Sequence, residues 1–75
     1  MKTLLRNKVN SLYFQGISDW TPTVERAFDF RIADRAVKFV RDAGLSKQEM
    51  ELVLAFENPH YNVTVPVDQR FEHRA

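Results

Sequence analysis

His60 and His73 are the only imidazoles in the chain. With Glu57, Asp68 and Glu72 they supply metal-ligating residue types, but no spacing among them repeats a known ligand pattern, in which ligands come as tight pairs. They read as one loop histidine and one tail histidine, and no metal or cofactor is expected. Nucleophilic catalysis needs a hydroxyl or thiol beside a base that a third group orients. Ser11, Ser18 and Ser46 stand in no nucleophile-elbow context, and the chain has no cysteine. Gly16 and Gly44 are its only glycines, which excludes a glycine-rich phosphate loop. Asp19 beside Trp20 is an acid in apolar company, yet one carboxylate makes no acid/base pair. No enzyme is expected. A site completed by a partner around Asp19, Trp20 and His60 is the one enzymatic arrangement left open.

Two patterns suit binding instead. Arg31, Arg35, Lys38 and Arg41 lie three or four apart, a spacing that makes a basic stripe on a helix. Such a stripe can track phosphates, with Tyr13 or Phe14 stacking on bases. Asp34 and Asp42 interleave with it and the net charge is only +1, so a solvated face is the preferred reading. Clustering with Arg6 and Lys8 would favour nucleic acid. The second pattern is the alternation of Tyr61, Val63, Val65 and Val67 with Asn62, Thr64, Pro66 and Asp68. Pro66 cannot donate to a ladder, which marks a sheet edge or a bulge, and the position near the chain end favours the edge. Pro66 and Asp68 guard one end of that edge. Tyr61, Asn62, Val63, Thr64 and Val65 are left as a stretch on which a second copy, or a partner's extended segment, can pair. Asn62-Val63-Thr64 also matches the glycosylation acceptor pattern, by chance on this reading, since it lies inside a strand.

The elements that must position these residues follow from periodicity and punctuation. Thr3–Arg6 and Ser11–Gln15 read as strands joined by the polar run Asn7–Asn10. Leu12-Tyr13-Phe14-Gln15-Gly16 also matches the end of a potyviral protease recognition sequence, Glu-Asn-Leu-Tyr-Phe-Gln-Gly, but Asn10-Ser11 replaces Glu-Asn and the segment fits the hairpin. Ser18–Pro22 reads as a loop, followed by one helical turn over Pro22–Arg26 that Thr21 can cap. From about Phe30 to Ala43 the apolar residues Ile32, Ala33, Ala36, Val37, Phe39, Val40 and Ala43 share one helical face. Asp29 is the expected N-cap, Asp34–Lys38 an acid-first pair, and Gly44-Leu45 a Schellman stop. Ser46–Glu49 matches a capping box, yet Met50, Leu52, Leu54 and Phe56 alternate, so a short turn and then a strand are expected. Asn58-Pro59 marks the next turn. The tail 69–75 is polar apart from Phe71 and is expected to fray.

The order of motifs resembles small uncharacterised bacterial and phage proteins. The residues that carry the likeness are Leu12-Tyr13-Phe14, Trp20-Thr21, Ala27-Phe28-Asp29-Phe30, Arg35-Ala36-Val37-Lys38-Phe39 and Leu54-Ala55-Phe56-Glu57-Asn58-Pro59. The resemblance implies a compact β-β-α-β-β module and no particular activity.

Length allows one domain, residues 1–68, and a single modest core. The fold expected is α+β: a small β-β-α-β-β sheet packed on one long helix. Core candidates are Leu4, Leu12, Phe14, Trp20, Phe28, Ile32, Ala36, Phe39, Val40, Leu52, Leu54 and Phe56. Nothing approaches the apolar length of a membrane span, and the polar residues after Leu5 argue against a signal peptide. A cysteine-free chain fits the cytoplasm. The function expected is that of a non-enzymatic accessory or protein-interaction module of a bacterium. Its partner would be a second copy or another protein along 61–65; a small nucleic-acid-binding protein is the alternative.

Overall fold

Consecutive apolar residues, Leu4-Leu5 and Leu12-Tyr13-Phe14, build the N-terminal hairpin and serve both faces of the sheet. Strand β1 covers Lys2–Asn7 and strand β2 covers Leu12–Gly16. Asparagine side chains shape the turn between them: Asn7 Oδ1 accepts from Val9 N–H and Asn10 Oδ1 from Leu12 N–H, the local bonding that makes asparagine a turn residue. A computed structural model describes residues 1–67, so Asp68 and the expected tail 69–75 lie outside the described residues.

The expected loop over Ser18–Pro22 is a strand. Asp19–Thr21 forms β3, which sets Trp20 opposite Phe14 and Thr21 opposite Tyr13. The reversal takes only Ile17 and Ser18, with Ser18 in the left-handed region (φ 58°). Trp20 packs edge-on against Phe14, ring centroids 5.6 Å apart, and this contact outweighs the loop-like composition around it. Thr21 Oγ1 then accepts from Thr23 N–H, and a single 3-10 turn follows over Val24–Arg26.

Helix α1 covers Ala33–Asp42, ten residues, shorter than the expected 30–43. Asp29 does not cap it. Its Oδ1 accepts instead from Thr3 N–H (2.9 Å) and Arg31 N–H (2.8 Å), and Arg31 at φ 77° delays the helix. The stop is as expected: Gly44 has φ 72°, Leu45 N–H donates to Val40 C=O (3.0 Å) and Gly44 N–H to Arg41 C=O (3.2 Å), the two bonds of a Schellman motif. Lys38 pairs with Asp42 rather than with Asp34.

Strand β4 covers Met50–Ala55, after a 3-10 turn over Lys47–Glu49, and strand β5 covers Val63–Pro66. The sheet is antiparallel throughout, in the order β3-β2-β1-β4-β5. The α+β class therefore holds, with five strands in the order β-β-β-α-β-β.

Both faces of the sheet carry core. On one, Leu5, Phe14, Met50, Leu52 and Val67 pack with Phe30, Ala36 and Val40. On the other, Leu4, Tyr13, Val53 and Ala55 pack under Val24 and Ala27. The chain changes faces between Ala27 and Phe30. It passes through an opening between β1 and β2, whose opposed pairs are Arg6–Tyr13 and Asn7–Leu12, at the turn end. In the opening Phe28 N–H donates to Phe14 C=O (2.9 Å) and Phe30 N–H to Thr3 C=O (2.8 Å). The crossing thus supplies the bonds that a continued hairpin would have made. It also corrects the core expected from periodicity. Phe28, Ile32 and Phe56 are exposed, while Leu5, Tyr13, Phe30, Met50, Val53 and Val67 are buried.

Candidate functional site

The residues that suggested catalysis are not brought together. Asp19 and Trp20 sit on β3, at one end of the sheet order, and His60 lies in a 3-10 turn before β5, at the other. His60 N–H donates to Asn58 Oδ1 (3.0 Å). Ser11 and Ser18 occupy left-handed turn positions, and Ser46 Oγ contacts Gln48 Oε1 (3.4 Å). Among the described residues no group of three His, Cys, Asp or Glu is placed to hold a metal. Among them, too, no helix is long and apolar enough to cross a membrane.

Arg31, Arg35, Lys38 and Arg41 are all exposed, on or just before α1. Arg6 does not join them. It shares the opposite face of the sheet with Tyr13 and Glu51, where its guanidinium pairs with the Glu51 carboxylate and lies 5.7 Å from the Tyr13 ring centroid. Partial burial works against the Arg6 charge, but the Glu51 carboxylate outweighs it and raises the guanidinium's pKa above its ordinary value. Lys8 lies in the β1–β2 turn. The cationic cluster that would have favoured nucleic acid is not assembled.

A second exposed surface was not anticipated. Phe14, Ile17, Trp20, Phe39 and Leu45 line a cleft of about 310 Å³ beside β3, and Ile17 at the hairpin tip is 92% exposed.

The strand pattern of 61–65 lands where the alternation put it, at the end of the sheet, but later than expected. Tyr61 belongs to the 3-10 turn Pro59–Tyr61 and the ladder begins at Val63. The direction of each backbone group follows from the ladder. In an antiparallel pair, opposed residues alternate between those that exchange both hydrogen bonds and those that exchange none. Lys8 N–H donates to Glu49 C=O (2.8 Å), extending the register in which Arg6 opposes Glu51. Glu51, Val53 and Ala55 therefore turn their backbone groups to β1, and Met50, Leu52 and Leu54 turn theirs to β5. Phe56 continues the second series, and its N–H donates to Asn62 Oδ1 (2.8 Å).

Val63 and Val65 oppose Leu54 and Leu52, so their backbone groups face β4, and Thr64 and Pro66 face outward. Asn62 is extended (φ −62°, ψ 139°) with its carbonyl on the same outer side, while its N–H donates to Pro59 C=O (3.1 Å). The outer rim from 62 to 65 thus presents the carbonyls of Asn62 and Thr64 and one N–H, that of Thr64; Pro66 is followed by the helical residue Val67, and the carbonyl before a helix already serves as its first acceptor. Val63 and Val65 line the helix face of this rim, Val63 being 47% exposed. The sequence pattern leaves the whole stretch Tyr61–Val65 unguarded. Only Thr64 is, because Val63 N–H faces inward and Asn62 N–H is held by the turn. The signal was present in the two-residue spacing of Thr64 and Pro66.

No family model, no curated protein and no solved structure matches the chain. The resemblance to small bacterial and phage proteins has no family behind it and stays an expectation.

Proposed function

We propose that this domain is a non-enzymatic protein-interaction module that takes up an extended polypeptide segment along β5. The observation that carries the reading is the outer rim of β5, whose Thr64 N–H and C=O have no partner among the described residues. Unpaired ladder groups at a sheet edge add a strand readily, with main-chain bonds giving affinity and alternate side chains giving specificity. The placement of the module in a bacterial cytoplasm rests on the motif resemblance and on the absence of cysteine.

The reading is tested with a short end-blocked peptide of alternating valine and threonine, fluorescein-labelled and followed by anisotropy. Saturable binding to the wild type is expected, with loss in Thr64→Pro, which removes the outward N–H and leaves the ladder to β4 intact. Flat anisotropy up to about 1 mM protein, where the binding free energy is only about −4 kcal/mol, ends this reading.

A further inference from the structure

We infer that residues 68–72 of this same chain turn back onto the helix side of the sheet and seat Phe71 in the cleft where α1, the 3-10 turn Lys47–Glu49 and Val67 meet. The inference goes beyond the β5 reading, and neither depends on the other.

The argument starts where the described chain ends. Val67 is 3% exposed and belongs to the same core as Val40, Met50 and Leu52. Its backbone has already left the extended form of β5 for a helical one. Beside it opens a cleft of about 380 Å³, whose walls include Val37, Val40, Arg41, Leu45, Lys47 and Val67. Val37 and Leu45 are half-buried there, incompletely covered by the described residues.

The next stretch of sequence has the pattern this cleft needs. Phe71 is the only large apolar residue after Val67. On a helix, side chains four apart lie one above the other, about 6 Å apart along the axis. A backbone that stays helical from Val67 therefore carries Phe71 over the cleft that Val67 lines. At about 100° per residue, Asp68 and Glu72 fall on one flank of that face, and Arg70 and Arg74 on the other. Arg41 and Lys47 stand on the cleft walls, opposite in sign to the acidic flank. Exposed ion pairs add little, whereas a phenylalanine brings roughly 150–250 Å² of surface to cover. The ring thus supplies the attachment, and the charges set which way round the segment lies. A segment tethered four residues from its seat has an effective concentration of millimolar order or above, which favours it over any untethered occupant.

Two measurements on the full chain test this. In a nuclear Overhauser spectrum of the isotope-labelled protein, the Phe71 ring protons are expected to contact the methyls of Val37 and Leu45. The Phe71 amide is expected to exchange its hydrogen at least about tenfold more slowly than in an unstructured chain, and to lose that protection in Phe71→Ser. Circular dichroism, with the methyl resonances of Leu4 and Val53 on the far face, reports whether the variant is folded. Random-coil exchange with no ring–methyl contact in the wild type overturns the inference. Protection that survives in a folded Phe71→Ser variant overturns it too. Contacts seen only between labelled and unlabelled copies in a mixed sample would seat the segment on a second molecule, and also overturn it. The contact measurement needs no variant, so it decides the matter even where Phe71→Ser unfolds the chain.

Discussion

Arg31 is the most strained residue of the described chain and the easiest to test. Its φ of 77° and the bond from Ile32 N–H to Phe30 C=O (2.9 Å) form a γ-turn of the rarer hand, a conformation costly for a residue with a Cβ. Thr3 and Asp29 hold it there. Thr3 Oγ1 donates to Arg31 C=O (3.1 Å), and Asp29 Oδ1 takes both the Thr3 and Arg31 N–H groups. Arg31→Gly is expected to raise stability by about 0.5–1 kcal/mol, the relieved strain being partly offset by the freer unfolded chain. A lower urea midpoint would mean that the Arg31 side chain contributes more than the strain removes. Asp29 adds a pH dependence. The Thr3 N–H holds its carboxyl below the usual range; partial burial opposes this, and the Arg31 N–H and charge support it. Because the folded value lies below the unfolded one, the stabilisation is complete above the unfolded value of about 3.9 and is lost as pH falls through the folded value. Asp29→Asn is expected to be less stable than the wild type at pH 7, with the difference closing in acid. A difference that persists at about pH 2, below the carboxyl's range, would assign the effect to shape rather than charge.

Elements bounded by local bonding were legible in the sequence, and those bounded by tertiary contact were not. Gly44 needs only its own left-handed backbone to stop α1, and the stop falls as expected. A Cβ at Gly44 would meet nothing within 4 Å, so Gly44→Val isolates the backbone strain, roughly 1–2 kcal/mol. A fall in melting temperature of several degrees is expected for a domain this small, and an unchanged value would mean that the helix end is not held by Gly44. The start of α1 was misplaced because Asp29 looks like a cap in sequence, while its carboxylate serves Thr3, a residue 26 positions away. Strand β3 was hidden because Ser18, Asp19 and Pro22 are turn residues and the contact that recruits Trp20 is Phe14. That phenylalanine is the hub of the helix-side core, with Trp20, Phe28, Phe30 and Phe39 all within 6.0 Å by ring centroid. Phe14→Ala is expected to cost about 3–5 kcal/mol and leave the domain largely unfolded by circular dichroism. Phe39→Ala, at a half-buried position, should cost less. The reverse order would move the centre of the core onto α1. At the candidate site, alternation found the edge and Pro66 marked it, but which N–H groups face outward depends on the β1–β4 register, which no local pattern encodes.

At the scale of the whole molecule the cations of the described residues are divided between the two sides of the sheet. The cations of α1 lie on one side of the sheet and Arg6 lies on the other, paired with Glu51. Lys38 is engaged by Asp42, whose carboxyl is held below its usual range chiefly by the Lys38 ammonium. Duplex binding depends on several cations reaching phosphates together, and each phosphate neutralised steepens the salt dependence by about 0.9 on a log–log scale. All four of Arg31, Arg35, Lys38 and Arg41 in contact would give a slope near −3.6 by that rule. Lys38 would first have to leave Asp42, and Asp34 would be carried towards the same phosphates. The stacking half of a single-strand site is missing as well. Tyr13 and Phe14 are buried in two different cores, one on each face of the sheet, so neither offers a ring face to a base. Nucleic-acid binding is therefore expected to be no tighter than about 10 µM at physiological salt, for a duplex or a single strand, within the range of non-specific contacts. Titrating labelled duplex and single-stranded oligonucleotides by anisotropy, at two salt concentrations, checks this. Submicromolar binding with a slope near −3.6 would show that the α1 cations act as one surface, and would rank nucleic acid above an extended peptide as the partner of this domain.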